Sequence, residues 1–278
     1  MLGGSGIFVK ISESSPSVIA FYRSLLALPF LYFWKKYEER DGAYSIDWDK
    51  RNIFFLFMGG LCFALDMAIW NWSLSYTSVA NATFTLCITP FVTAVVAYFF
   101  IRESISRITF FTMVIAMIGV TIMIVGGFET ADNRGLLFAI CTSVAFAVFA
   151  VLLRANRKLD MLPVLLVTGL FMAAVGGIGG SFSNAIPMSD IMLCLLWGML
   201  LQGFAHSLMI RATRLILSAE ITLFMLLEFT LNPLWVWLFI NEVPTFTTLL
   251  GGGVIILSVG VLAGSEIRDA FKVKKDTV

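Results

Sequence analysis

The fold class this sequence predicts is an all-α polytopic membrane protein: a ten-helix bundle of two inverted five-helix repeats, with the first helix shortened at the N-terminus. Three observations predict it. The 278 residues are 59% hydrophobic and only 13% charged, too apolar for a water-exposed surface. Lysine and arginine gather in alternate loops, and the second half of the chain repeats the first.

Crossing a hydrocarbon layer of roughly 30 Å takes about 20 mostly apolar residues per helix, with every backbone polar group satisfied inside its own segment. Polar interruptions divide the chain into spans at Pro16–Trp34, Asn52–Ser73, Ser78–Phe100, Ile108–Gly126, Gly135–Leu153, Pro163–Ser181, Ile191–Ile210, Leu217–Phe239 and Thr247–Gly264. Ahead of them, Met1 to Ile11 is apolar and Gly-rich but about half the length a crossing needs, and reads as the second half of a first helix. The opening residues lack the basic, apolar and small-residue succession of a cleavable secretory signal.

Basic residues collect in cytoplasmic loops of membrane proteins. With an even helix number and both ends inside, Lys35, Lys36, Arg40, Lys50, Arg51, Arg102, Arg107, Arg154, Arg157, Lys158, Arg211, Arg214, Arg268, Lys272, Lys274 and Lys275 all fall inside. Lys10 and Arg134 fall outside, and Arg23 lies within a span. The expected location is a bacterial inner (plasma) membrane, multi-pass, with a cytoplasmic C-terminus. The mixed-charge stretch Lys35 to Arg51 is a solvated loop.

Shifting the sequence by 139 positions lays Ser78–Ile105 on Leu217–Pro244 without a gap. Val79-Ala80-Asn81 then meets Ser218-Ala219-Glu220, Thr89-Pro90 meets Glu228-Phe229, and Ile101-Arg102-Glu103 meets Ile240-Asn241-Glu242. An odd number of spans per half forces the second half to insert upside down. Inverted repeats of this kind are typical of secondary carriers, whose substrate sits near the midplane between the halves. The organisation expected is a first repeat over 1–126, a linker over 127–134, a second repeat over 135–264 and a cytoplasmic tail over 265–278.

A charge at the centre of a membrane helix costs about 2.5–3.5 kcal/mol on insertion scales, so each one needs a reason. Glu228 lies about halfway along its span. It is the first candidate for a proton or cation site that titrates during turnover; the alternative is a permanent ion pair with Arg23 or a hydrogen bond to a neighbouring helix. Asp66 and Trp70 are one turn apart on one helix face, a carboxylate beside an indole, which suits an organic cation. The competing account pairs Asp66 with Arg23 and leaves Trp70 in an aromatic belt.

Asn81, Thr85, Thr89 and Thr93 recur every fourth residue and form a polar seam; their repeat mates are Glu220, Phe224, Glu228 and Asn232. Gln202 and His206 are again one turn apart. The candidate substrate contacts are therefore Asp66, Trp70, Asn81, Thr85, Thr89, Gln202, His206, Glu228 and Asn232. Glu228 and Asp66 are the proton-coupling candidates, and Arg23 is expected in a structural or gating ion pair. Glu220, near Arg211 and Arg214, reads as part of a rim ion pair. Trp34, Trp48, Trp197, Trp235 and Trp237 fit interfaces and packing.

A single histidine cannot build a metal site, and Cys62, Cys87, Cys141 and Cys194 lack metal or redox spacing and read as small core residues. No cofactor is expected. The net charge of +1 excludes the basic surface that binds nucleic acid. Gly176 and Gly180, like Gly260 and Gly264, have the spacing that lets helices approach closely; a homodimer is an allowed assembly.

Together, Phe21-Tyr22-Arg23, the run Ala64 to Trp72, Thr77 to Thr83, Leu226-Leu227-Glu228, Asn232 to Phe239 and Asn241-Glu242 resemble the drug/metabolite transporter superfamily, in particular its bacterial EamA-type ten-helix members. The resemblance covers essentially the whole chain. It implies a central cavity lined by the third, fourth, eighth and ninth helices, aided by the first and sixth, and the passage of small metabolites. The expectation is a secondary active transporter of small organic metabolites, amino-acid-like or amine compounds favoured, working by proton-coupled efflux or exchange. Two other classes compete with it: a lipid-modifying membrane enzyme, which would want a catalytic cluster of His, Asp or Ser, and a non-transporting pore or assembly subunit.

Overall fold

The computed structural model describes residues 16–40, 49–77, 82, 85–124, 133–179, 186–240 and 245–276. These form nine helices: α1 (Pro16–Arg40), α2 (Lys50–Tyr76), α3 (Thr89–Ile101), α4 (Arg107–Ile124), α5 (Asn133–Ala155), α6 (Val164–Gly179), α7 (Met188–Ala212), α8 (Ser218–Ile240) and α9 (Phe246–Asp276). No strand occurs among the described residues. Four stretches are long and apolar enough to cross a membrane: Lys50–Ser73, Asn133–Ala155, Met188–Ala212 and Phe246–Ser265. The half-helix at Met1 to Ile11 and the linker over 127–132 lie outside the described residues.

Three elements differ from the sequence expectation. The span from Ser78 does not run as one helix into Phe100, because Cys87 and Ile88 form a turn and α3 starts at Thr89. Pro90 is the cause: it has no N–H to give the Leu86 carbonyl four residues back. The hydroxyl of Thr89 donates to that carbonyl instead, at 2.5 Å. The second difference is in α7, where Gly198–Ala205 is wound as a π-helix between two α-helical pieces. The third is the tail, which continues α9 as helix to Asp276; no Gly or Pro interrupts it after Gly264.

Helices α1, α2, α5, α6 and α7 pack as one group and α3, α4, α8 and α9 as another, with α5 touching both α3 and α8. The first group is held by a cluster that includes Leu31, Leu56, Phe63, Phe149, Leu153, Met161, Leu165 and Ile210. The second is held by Met113, Val120, Leu223, Leu226, Ile255 and Leu262. In lipid, apolar burial gives little drive for helix association, so close backbone approach has to supply contact area. It does so where α4 crosses α9: a Cβ on Gly119 would lie 2.9 Å from the Gly251 carbonyl oxygen, and Ser258 donates its hydroxyl to the Thr112 carbonyl at 2.5 Å. Gly260 and Gly264 instead face open space. Large side chains such as Phe99, Phe100, Leu257 and Leu170 lie on the outer surface, where hydrocarbon is their natural solvent. Cys87 and Cys194 are core residues as expected, whereas Cys141 is exposed on that outer surface.

Candidate functional site

At one end of the bundle a polar tie joins the two helix groups. Helix α3 ends on Arg102 in the left-handed conformation, φ 55° and ψ 33°, where its N–H donates back to the Ala97 carbonyl. This is the usual helix-ending turn, with arginine in the place glycine normally takes. The turn delivers Glu103, whose Oε1 accepts from Arg154 Nε of α5 at 2.9 Å. Its Oε2 accepts from the Ser218 N–H at 3.1 Å and the Ser218 hydroxyl at 3.0 Å. Glu103 thus caps the N-terminus of α8 from a neighbouring element, where a carboxylate is favoured by the free N–H groups and the helix dipole.

Arg154 completes the tie by donating Nη1 to the Thr213 carbonyl at 2.9 Å. Glu220 is buried beside it, not placed at a rim. It accepts from the Leu217 N–H at 3.0 Å, one half of a capping box, and from the Thr109 hydroxyl of α4 at 3.0 Å. Arg214 lies 3.8 Å from Asp160 and donates to the Leu159 carbonyl at 3.0 Å. The residues of this basic end are those grouped by the loop pattern.

Above the tie the interior is filled. Phe63 of α2 stacks on Phe149 of α5 at 4.4 Å between ring centroids, and the His206 ring lies 4.9 Å from Phe63. His206 is buried, a packed part of this floor. Asp66 and Trp70 follow Phe63 along α2 at spacings of three and seven residues, hence on the same helix face. Both are half-buried. Among the described residues neither Asp66 nor Glu228, half-buried on α8, has a side-chain hydrogen bond or ion pair.

The helix that carries His206 also meets α1. Gly198 stands so close that a Cβ there would lie 2.5 Å from the Arg23 carbonyl oxygen. The Arg23 guanidinium sits 5.0 Å from the centroid of the Trp197 ring. The ion pair expected for Arg23 is absent among the described residues: an aromatic face takes the place of Asp66 or Glu228. Trp197 is 2% exposed, deep in the bundle and not at an interface.

Of the polar seam, Thr89 and Thr93 are buried and spend their hydroxyls on backbone carbonyls, Thr93 donating to that of Thr89 at 2.8 Å. Thr85 is half-buried beyond the Cys87–Ile88 turn, so it does not share one continuous helical face with Thr89 and Thr93. Asn81 lies outside the described residues. Gln202 falls in the π-helix and Asn232 in α8, but their side chains lie outside what is described.

At a rise of about 1.5 Å per residue, Glu228, Thr89, Trp197, Asp66 and Arg23 lie about 15–25 Å along their helices from the basic end. Of these depths in a roughly 30 Å layer, that of Glu228 is about halfway and those of Asp66 and Arg23 are outward of the middle. Sequence reasoning missed the Glu103–Arg154–Ser218 tie and the Arg23–Trp197 contact. The repeat did mark Glu103 by setting it against Glu242; nothing in the sequence marks Trp197.

The helices are those of a multi-pass membrane protein, and its likeness to known proteins supports a membrane transporter. Residues 1–125 match the family described as EamA-like transporter family. The chain is 23% identical over 242 residues to a protein of Rickettsia prowazekii (strain Madrid E) described as an S-adenosylmethionine uptake transporter, covering 85% of this chain and 77% of the relative. A solved crystal structure, 14% identical, superposes with a TM-score of 0.75 over 96% of this chain and 94% of the other, a likeness of fold.

Proposed function

We propose that the protein is a secondary carrier of small organic metabolites bearing a cationic group, amino-acid-like or amine compounds, with S-adenosylmethionine as the first candidate. The observation that carries this reading is that Asp66 and Glu228 stand within membrane-spanning helices, Glu228 about halfway and Asp66 outward of the middle, without a protein cation among the described residues. A carboxylate held there needs a proton, a cationic ligand or both in turn. Asp66 supplies the charge and Trp70 the cation–π face for the ligand; Glu228 exchanges a proton as the carrier turns over, giving proton-coupled efflux or exchange. The uptake named for the Rickettsia relative supports the substrate class, and the match that stops at residue 125 supports a first repeat over 1–126.

In this reading the chain is a ten-helix bundle of two inverted repeats in the bacterial inner membrane, with the basic end cytoplasmic. Purified full-length protein in liposomes under an imposed pH gradient tests it, with labelled S-adenosylmethionine, amino acids and amines as probes. Saturable flux that responds to the gradient in either direction supports the proposal. Flux that does not saturate, or no flux of any cationic probe, rejects it.

A further inference from the structure

We infer that Arg23 and Trp197 form an anion-receiving pole of the carrier's cavity, and that the substrate is a zwitterion whose carboxylate docks on Arg23 while its cation lies toward Asp66. The inference rests on the carrier reading above and narrows its substrate class. Arg23 Nε is buried and has no hydrogen-bond partner, and the guanidinium makes no ion pair among the described residues. A permanently charged group carried into a bilayer is ordinarily satisfied by carboxylates, carbonyls or water. Here, among the described residues, an indole face lies beside it at 5.0 Å.

That contact is a cation–π interaction by its distance. An indole face accepts no ordinary hydrogen bond from the planar edge, where the N–H donors point, and Nε on that edge is without a partner. The fork of donors on that edge matches a carboxylate in a bidentate fashion, which a lysine could not do.

The place of the pair in the fold suits the role. Helix α7 touches α1 at Trp197 and Arg23 and touches α2 at His206 and Phe63, so one helix walls both the guanidinium and the face that carries Asp66. Arg23 and Asp66 lie within about 5 Å of each other in depth by helix rise. They are not paired. Had the two charges served only to neutralise each other, the folded chain would have brought them into contact; kept apart at one level, they fit a ligand with both signs of charge.

The test compares matched probes that differ only in the carboxylate: S-adenosylmethionine against its decarboxylated form, and methionine against 3-(methylthio)propylamine. Binding to purified full-length protein is measured by titration calorimetry. Wild type is expected to bind each zwitterion about tenfold more tightly than its amine, and Arg23→Gln to erase that preference while keeping the affinity for the amine. Arg23→Lys should restore part of it. Equal affinity of wild type for zwitterion and amine overturns the anion pole and leaves the cation-carrier reading standing. Equal weakening of both probes in a folded Arg23→Gln protein also overturns it. If wild type binds neither member of either pair, the carrier reading falls and this inference falls with it. Should Arg23→Gln fail to fold, the wild-type comparison alone decides.

Discussion

Glu228 is where the transport reading is most exposed to a single substitution. Glu228→Gln keeps the shape and removes the titratable proton, so gradient-driven flux should vanish while membrane insertion and exchange without a gradient persist; unaltered gradient-driven flux would exclude a coupling role. Asp66→Asn should weaken cationic ligands by about tenfold or more, the loss expected when one partner of a charge-assisted contact is made neutral, and titration of wild type against variant reads this directly. Both carboxylates were legible in the sequence because ionised groups inside apolar runs are costly enough to stand out. The surroundings of Arg23 were not. Opposite charges suggested an ion pair, but whether an arginine meets a carboxylate or an indole depends on which helices become neighbours, and that contact joins residues far apart in the chain.

Among the elements, α3 and its ending turn teach the most. The break at Cys87–Ile88 could be read from Pro90, yet the regular spacing of Asn81, Thr85, Thr89 and Thr93 invited a continuous seam. Threonine hydroxyls inside a helix often turn back to carbonyls of the preceding turn, and Thr89 and Thr93 do so, which spends their hydroxyl protons on the backbone. At the other end of α3, Glu103 holds Arg154 and the α8 N-terminus together. Glu103→Ala would strand a largely buried guanidinium and free N–H donors of α8. The expected loss is about 3 kcal/mol of stability, measured by reversible unfolding in bicelles. A change of only a few tenths of a kcal/mol would mean that the tie is incidental. Glu220, which reads from the sequence as a rim residue, is instead a cap for its own helix, because its position three residues into α8 returns its side chain to the Leu217 N–H.

For the whole molecule, the distribution of basic loops makes a topological prediction. Cysteine labelling in the Lys35 to Arg51 stretch and in the C-terminal segment should find both on one side of the membrane, and opposite sides would dismantle the inverted-repeat arrangement. The α4–α9 crossing gives a second, paired prediction. Gly251→Leu forces a side chain into the Gly119 backbone and should lower the yield of monodisperse protein on size-exclusion chromatography. Gly260→Leu, with open space before it, should leave the fold unchanged. Spans and helix order were visible in composition and spacing; the choice between Gly251 and Gly260 as the close-contact glycine was not, since both sit in similar apolar runs. The wide winding of α7 has its own consequence. One residue added to or taken from a helix swings everything beyond it by about 100°, so the loose stretch at Gly198–Ala205 acts as a phase adjuster, letting a single rod address Arg23 above and Phe63 below. Deleting Leu200 should therefore leave the helical content seen by circular dichroism intact, yet turn one of those two contacts aside and silence the carrier.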